Sequence, residues 1–181
     1  MLELEASGFR GVVGPFGYVE TFIEDPPRHQ PATRQAHLRG AGFPETLFSG
    51  GAHSLPSLDG GWLKVDGTVA DMELVVTGVR KGARWLQIDH RGRRYRYVSG
   101  GDWRDARLSR DGVGVSIRNG RDIPGVGWGR IGRAEGDVDA TDLAIAIVLE
   151  MVDRSALSTL NALLGLPGHL LFGRTRDGGA V

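Results

Sequence analysis

The sequence predicts a mainly β fold with C-terminal helices, an antiparallel meander closing into a β-barrel around a buried hydrophobic helix. Three observations carry that expectation. Short, β-prone apolar runs recur through residues 71–131, each followed by a turn dipeptide. Gly occurs 29 times in 181 residues, which suits tight turns and close backbone approaches better than long helices. Finally, Leu143-Ala-Ile-Ala-Ile-Val-Leu149 has no polar residue on any side, so a helix there has to be buried.

Taken in order, the elements form one domain over residues 1–181, a length that buries an ordinary core. Phe16–Ile23 alternates as a strand should and stops at Asp25-Pro26-Pro27, where two prolines forbid both helix and central strand. Residues 25–61 are rich in Pro, Gly and Ser and read as loops with one or two short strands. Gly60-Gly61 then introduces Trp62–Val65. The meander of 71–131 is punctuated by Lys81-Gly82, Arg91-Gly92, Gly100-Gly101, Asp111-Gly112 and Asn119-Gly120. Asp-Gly and Asn-Gly are strong hairpin signals because both central positions accept a positive φ.

In Pro124–Ile131, Gly125, Gly127 and Gly129 share one face of a strand, with Val126, Trp128 and Arg130 on the other. A bare face lets another backbone approach, and the helix over 140–153 is the expected neighbour. Asp139 and Asp142 supply a cap and a first-turn carboxylate for that helix. Glu150, near its end, is expected to reach the barrel mouth. Residues 155–165 form a second, amphipathic helix through Leu157, Leu160, Leu163 and Leu164, ending at Gly165. Residues 174–181 read as a flexible tail.

Charge is balanced overall but unevenly placed. Residues 80–110 hold 10 Lys or Arg against 3 Asp or Glu, between acidic flanks. Only Lys64 and Lys81 are lysines among the 22 basic residues, a bias that genome composition also produces. The absence of Cys excludes disulfides, thiolate catalysis and cysteine-ligated metals. His29, His37, His53, His90 and His169 lack metal-ligand spacing, and no carboxylate cluster accompanies them. Asp89 and His90 are adjacent in a strand and so point to opposite faces. Gly127–Gly132 reads G-x-G-x-x-G, but no βαβ unit surrounds it and the helix starts late, so the glycines are structural. No catalytic residue, metal or cofactor is expected. The N-terminus is acidic where a signal peptide would be basic, and no transmembrane segment is expected, so the default location is cytoplasmic, peripheral to a membrane where lipid is bound.

The hairpin-rich region with Trp85-Leu-Gln-Ile-Asp-His-Arg-Gly-Arg-Arg-Tyr-Arg-Tyr97, followed by Asp142-Leu-Ala-Ile-Ala-Ile-Val-Leu149, resembles the tubby C-terminal-like superfamily, which includes phospholipid scramblase-like and LURP-one-related proteins. The resemblance covers residues 62–153 and rests on pattern. It implies a closed barrel of about a dozen strands enclosing a hydrophobic helix, and in some members the binding of anionic lipid.

The function expected is therefore a non-enzymatic β-barrel module that contacts anionic lipid headgroups, a membrane surface or a protein partner. The contact surface is expected at Arg84, Arg91, Arg93, Arg94, Arg96, Arg104 and Arg107. Against it stands a bland alternative, a solvated strand face whose arginines pair with the acidic flanks. Nucleic acid is disfavoured because the chain as a whole is neutral. The competing class is a lipocalin-like barrel carrier or enzyme for a small apolar ligand, and the placement of the 140–153 helix discriminates the two. A third reading lays the C-terminal apolar segments, flanked by Arg130, Arg133, Arg174 and Arg176, in a membrane interface.

Overall fold

The computed structural model describes residues 2–5, 8–25, 33–51, 54–78, 83–99, 105–123 and 127–157. Twelve strands follow in chain order: β1 (Leu2–Glu5), β2 (Gly8–Val12), β3 (Tyr18–Glu24), β4 (Thr33–Arg39), β5 (Thr46–Gly51), β6 (Trp62–Val65), β7 (Thr68–Val76), β8 (Arg84–His90), β9 (Arg93–Ser99), β10 (Asp105–Arg110), β11 (Val113–Ile123) and β12 (Gly127–Glu135). Each pairs antiparallel with the next, and β1 meets β12 at Leu2 opposite Arg130, closing the meander into a barrel. Helix α1 (Ala140–Val148) follows, with a 3-10 turn at Leu149–Met151.

The turns explain why the meander forms. Asp66-Gly67 between β6 and β7, and Arg91-Gly92 between β8 and β9, have positive φ at both residues (47° and 76°; 49° and 75°). Two such residues give the turn whose twist matches antiparallel strands. Asp and Gly tolerate that region readily, whereas Arg91 is a strained occupant. Its guanidinium bonds Asp66, 2.9 Å away, tying the two turns together.

Alternation along the strands then sorts the side chains. Val19, Leu38, Phe48, Leu63, Val65, Leu86, Ile88, Tyr95, Tyr97, Leu108 and Val115 all point inward and are buried. α1 lies among them. Its backbone is nearest to β4 and β5 on one side and to β10 and β11 on the opposite side of the ring. Leu143 to Val148 are at most 7% exposed, so the helix is the barrel's core. Fully burying one such aliphatic side chain is worth about 1.5–3 kcal/mol, which makes α1 a main source of the fold's stability.

Residues 25–61 contribute two strands among their loops, as expected: β4 and β5, seven and six residues long. Other expectations need correcting. β11 runs through Asn119-Gly120, where the register against β12 shifts: the pair marks a β-bulge, not a turn. Lys81-Gly82 and Gly100-Gly101 lie outside the described residues.

The helix over 140–153 is regular only to Val148. Beyond the 3-10 turn, Val152 is extended and Asp153 bridges Ser57, with Asp153 N donating to Pro56 O at 2.8 Å. Of the helix over 155–165, a 3-10 turn at Ser155–Leu157 is described; the remainder, like 174–181, lies outside the described residues.

The glycine face of β12 also points the other way from the expectation. Gly129, itself buried, alternates onto the face of Arg133, whose side chain is 80% exposed. The inward face carries Arg130, Gly132 and Ala134, with Gly132 opposite the buried Ile117. Gly125 lies outside the described residues.

Candidate functional site

The expected arginine surface divides into separate places. Arg94, Arg96 and Arg107 stand on the outer face of β9 and β10. Between them Tyr95 and Tyr97 point inward and are buried, as the period of two requires. Arg84 and Arg93 fall on the inward side of their strands, at the barrel ends. Arg84 Nη1 donates to Ala156 O at 3.3 Å, and Arg93 pairs with Asp139 beside the start of α1. Arg91 is held in its turn by Asp66. Arg104 lies outside the described residues.

What the outer face does bring together is a shallow groove of about 620 Å³ on β9, β10 and β11, lined by Arg96, Arg107 and Arg118 around the hydroxyls of Ser109 and Ser116. The register explains it, since Arg96 is opposite Ser109, Arg107 opposite Ser116, and Arg118 opposite Asp105. The guanidinium of Arg96 is stacked 4.4 Å above the Trp85 ring, and stacking of this kind is worth about 0.5–1 kcal/mol at an exposed site. Arg107 donates to Ser116 Oγ at 3.3 Å and to Glu135 Oε2 at 2.9 Å. Arg94 lies outside the groove, paired with Asp89 at 2.8 Å. Its bond holds the Asp89 carboxyl below the usual range. The face is thus a lattice of paired charges with an arginine-rich hollow. Sequence reading missed Arg118, because taking Asn119-Gly120 for a turn put it at a strand end.

Two further charged clusters flank α1. At its start, Asp139 accepts from the backbone N of Thr141 (2.9 Å) and Asp142 (3.0 Å), and Asp142 Oδ2 accepts from Asp139 N at 2.9 Å, completing a capping box. Asp142 is fully buried and is gripped by Arg110 through Nε (2.8 Å) and Nη2 (2.9 Å), while the Tyr95 hydroxyl donates to it at 3.2 Å.

Past the other end of α1, Glu150 is 6% exposed and lies inside the barrel, not at its mouth. Arg154 Nη1 donates to Glu150 Oε1 at 2.6 Å and to the Tyr97 hydroxyl at 3.0 Å, and Arg130 Nε stands 3.1 Å from Oε2. Burial pushes the Tyr97 phenol well above its ordinary pKa.

The other motifs supply no chemistry. His90 is buried inward, with neither ring nitrogen hydrogen-bonded, and Asp89 points outward. His37 stacks on Phe22 with ring centres 4.9 Å apart and reaches Glu24 at 3.2 Å. The G-x-G-x-x-G segment lies within β12, and no helix opens at its third glycine. Among the described residues, no three His, Asp or Glu are grouped to hold a metal, and no helix is long and apolar enough to cross a membrane.

Fold and site together define a closed antiparallel β-barrel whose interior is occupied by its own C-terminal helix and whose charged groups lie on the outer wall and at the helix ends. Comparison of the chain with protein-family models, with curated proteins and with solved structures finds no match.

Proposed function

We propose that this protein is a non-enzymatic β-barrel binding module of tubby-like type that meets anionic lipid headgroups at a membrane surface. The observation that carries the reading is the hollow on β9–β11, where three guanidiniums and two hydroxyls converge on the outside of a barrel filled by α1. Guanidinium forks and hydroxyls suit phosphate oxygens, and the open, shallow form suits a headgroup presented by a surface. Twelve strands around one apolar helix support the tubby-like resemblance. The carrier reading loses its chamber, because side chains of α1 occupy the space a central ligand would need.

Co-sedimentation with vesicles tests the proposal. Wild-type protein is expected to bind phosphatidylserine-containing vesicles and to ignore pure phosphatidylcholine. Each basic residue near an anionic surface contributes about 1 kcal/mol, so an Arg96→Ala/Arg118→Ala variant is expected to bind roughly thirtyfold more weakly. Unchanged binding by that variant, or no preference for the anionic vesicles, sinks the reading.

A further inference from the structure

Among the described residues, the ring of strands is least complete beside β1. That strand meets β12 opposite Arg130, and no described strand pairs with Ile131–Glu135 on the same side. Across the gap stand Val12 and a 3-10 turn at Gly14–Phe16. Gly132 and Ala134 face inward yet are exposed, whereas their partners Ile117 and Val115 on β11 are buried. Behind the gap lies a cavity of about 260 Å³, with Leu143 and Ile147 of α1 as its floor and Val12, Phe16, Val115 and Ile117 in its walls.

Charge gives this apolar cavity a direction. Arg130 lines it, with its side chain 15% exposed. Arg130 and Arg154 converge on one carboxylate, Glu150, in a largely buried place. Arg130 Nε lies 3.1 Å from Glu150 Oε2, and its guanidinium carbon is 5.3 Å from the centre of the Phe9 ring. A cation set in a mostly apolar cavity wall favours a ligand with an anionic head beside it.

We propose that this lateral pocket binds a single-chain anionic amphiphile, a medium-chain fatty carboxylate, with its chain on Leu143 and Ile147 and its carboxylate at Arg130. The volume holds on the order of eight to ten heavy atoms, a water's share of liquid being about 30 Å³, so the last carbons of a ten-carbon chain extend into the open gap beside β1. The site is separate from the arginine hollow on β9–β11 and does not rest on the lipid-surface reading.

Titration calorimetry of the full chain with decanoate and with decanol tests it. Decanoate is expected to bind one per chain, and decanol about tenfold more weakly or worse. A Cβ at Gly132 would meet nothing closer than Ser116 O at 3.9 Å, so Gly132→Phe fills the cavity without striking backbone. That variant is expected to weaken decanoate at least about tenfold while vesicle binding is retained. Val12→Asp, at a position 59% exposed, sets a like charge in the wall and is expected to act the same way should Gly132→Phe not fold. The proposal is overturned if wild type does not bind decanoate, if decanol binds equally, or if the folded variants bind decanoate undiminished.

Discussion

Glu150 shows how much a single buried carboxylate holds together. Two guanidiniums and, through Arg154, the Tyr97 hydroxyl converge on it inside the barrel. Removing one partner of a buried ion pair strands the other charge, a loss of about 3–5 kcal/mol. Glu150→Ala is therefore expected to lower the urea midpoint by an amount of that order, and a loss below 1 kcal/mol would mean that water reaches the cluster.

The two buried histidines predict a pH response. Burial lowers the pKa of His90, helped by Arg91 and Arg93, and burial lowers that of His37 against the pull of Glu24. The unfolded chain protonates these rings near pH 6.5 while the folded chain does not, so stability falls as pH drops from about 6.5 toward the lowered folded values. His90→Phe removes a ring whose nitrogens lack partners and is expected to keep or raise stability while flattening that slope. Melting curves between pH 5 and pH 7 read both effects, and an unchanged slope would contradict the assignment. At this scale the sequence was partly legible. Strand alternation placed Tyr95 and Tyr97 inside and Arg94 and Arg96 outside, whereas the convergence of Arg130 and Arg154 on Glu150 depends on strand register and a bend after α1, which no local pattern encodes.

Among elements, α1 carries the strongest local signals and the most exposed dependence on them. Asp139 caps two backbone N–H groups and pairs with Arg93, and despite partial burial these bonds hold its carboxyl below the usual range. Asp139→Ala is expected to destabilise by about 1–2 kcal/mol, and Asp139→Asn by less because the amide oxygen keeps the cap. A depressed carboxyl contributes stability above its unfolded pKa of about 3.9 that is lost as pH falls through the folded value. Asp139→Asn is thus expected to shrink the stability lost below about pH 4, as acid titration of the two proteins would read. The cap and the all-apolar run were legible because they are local. The bulge at Asn119-Gly120 was not, because the same dipeptide serves turn and bulge and only the partner strand decides.

Over the whole molecule, a barrel closed by its first and last strands has no choice but to fill its interior, and here the filling is covalent. The order of elements makes it possible, since the helix follows the last strand and turns back into the ring. Ile145→Asp, at a fully buried position facing that ring, is expected to leave no folded barrel. The barrel class was legible from repeated turns and one apolar helix, and the resemblance implied about a dozen strands, but β1 and β2 were not read from the residues, being only four and five residues long. The central claim is that α1 is the interior of the barrel and not a lid upon it. Native-state hydrogen exchange tests this most directly. The amides of Ile145 to Leu149 are expected to exchange only through global unfolding, with protection equal to that of β8 and β9. Their exchange at markedly lower free energy than those strands, through a local opening, would contradict it.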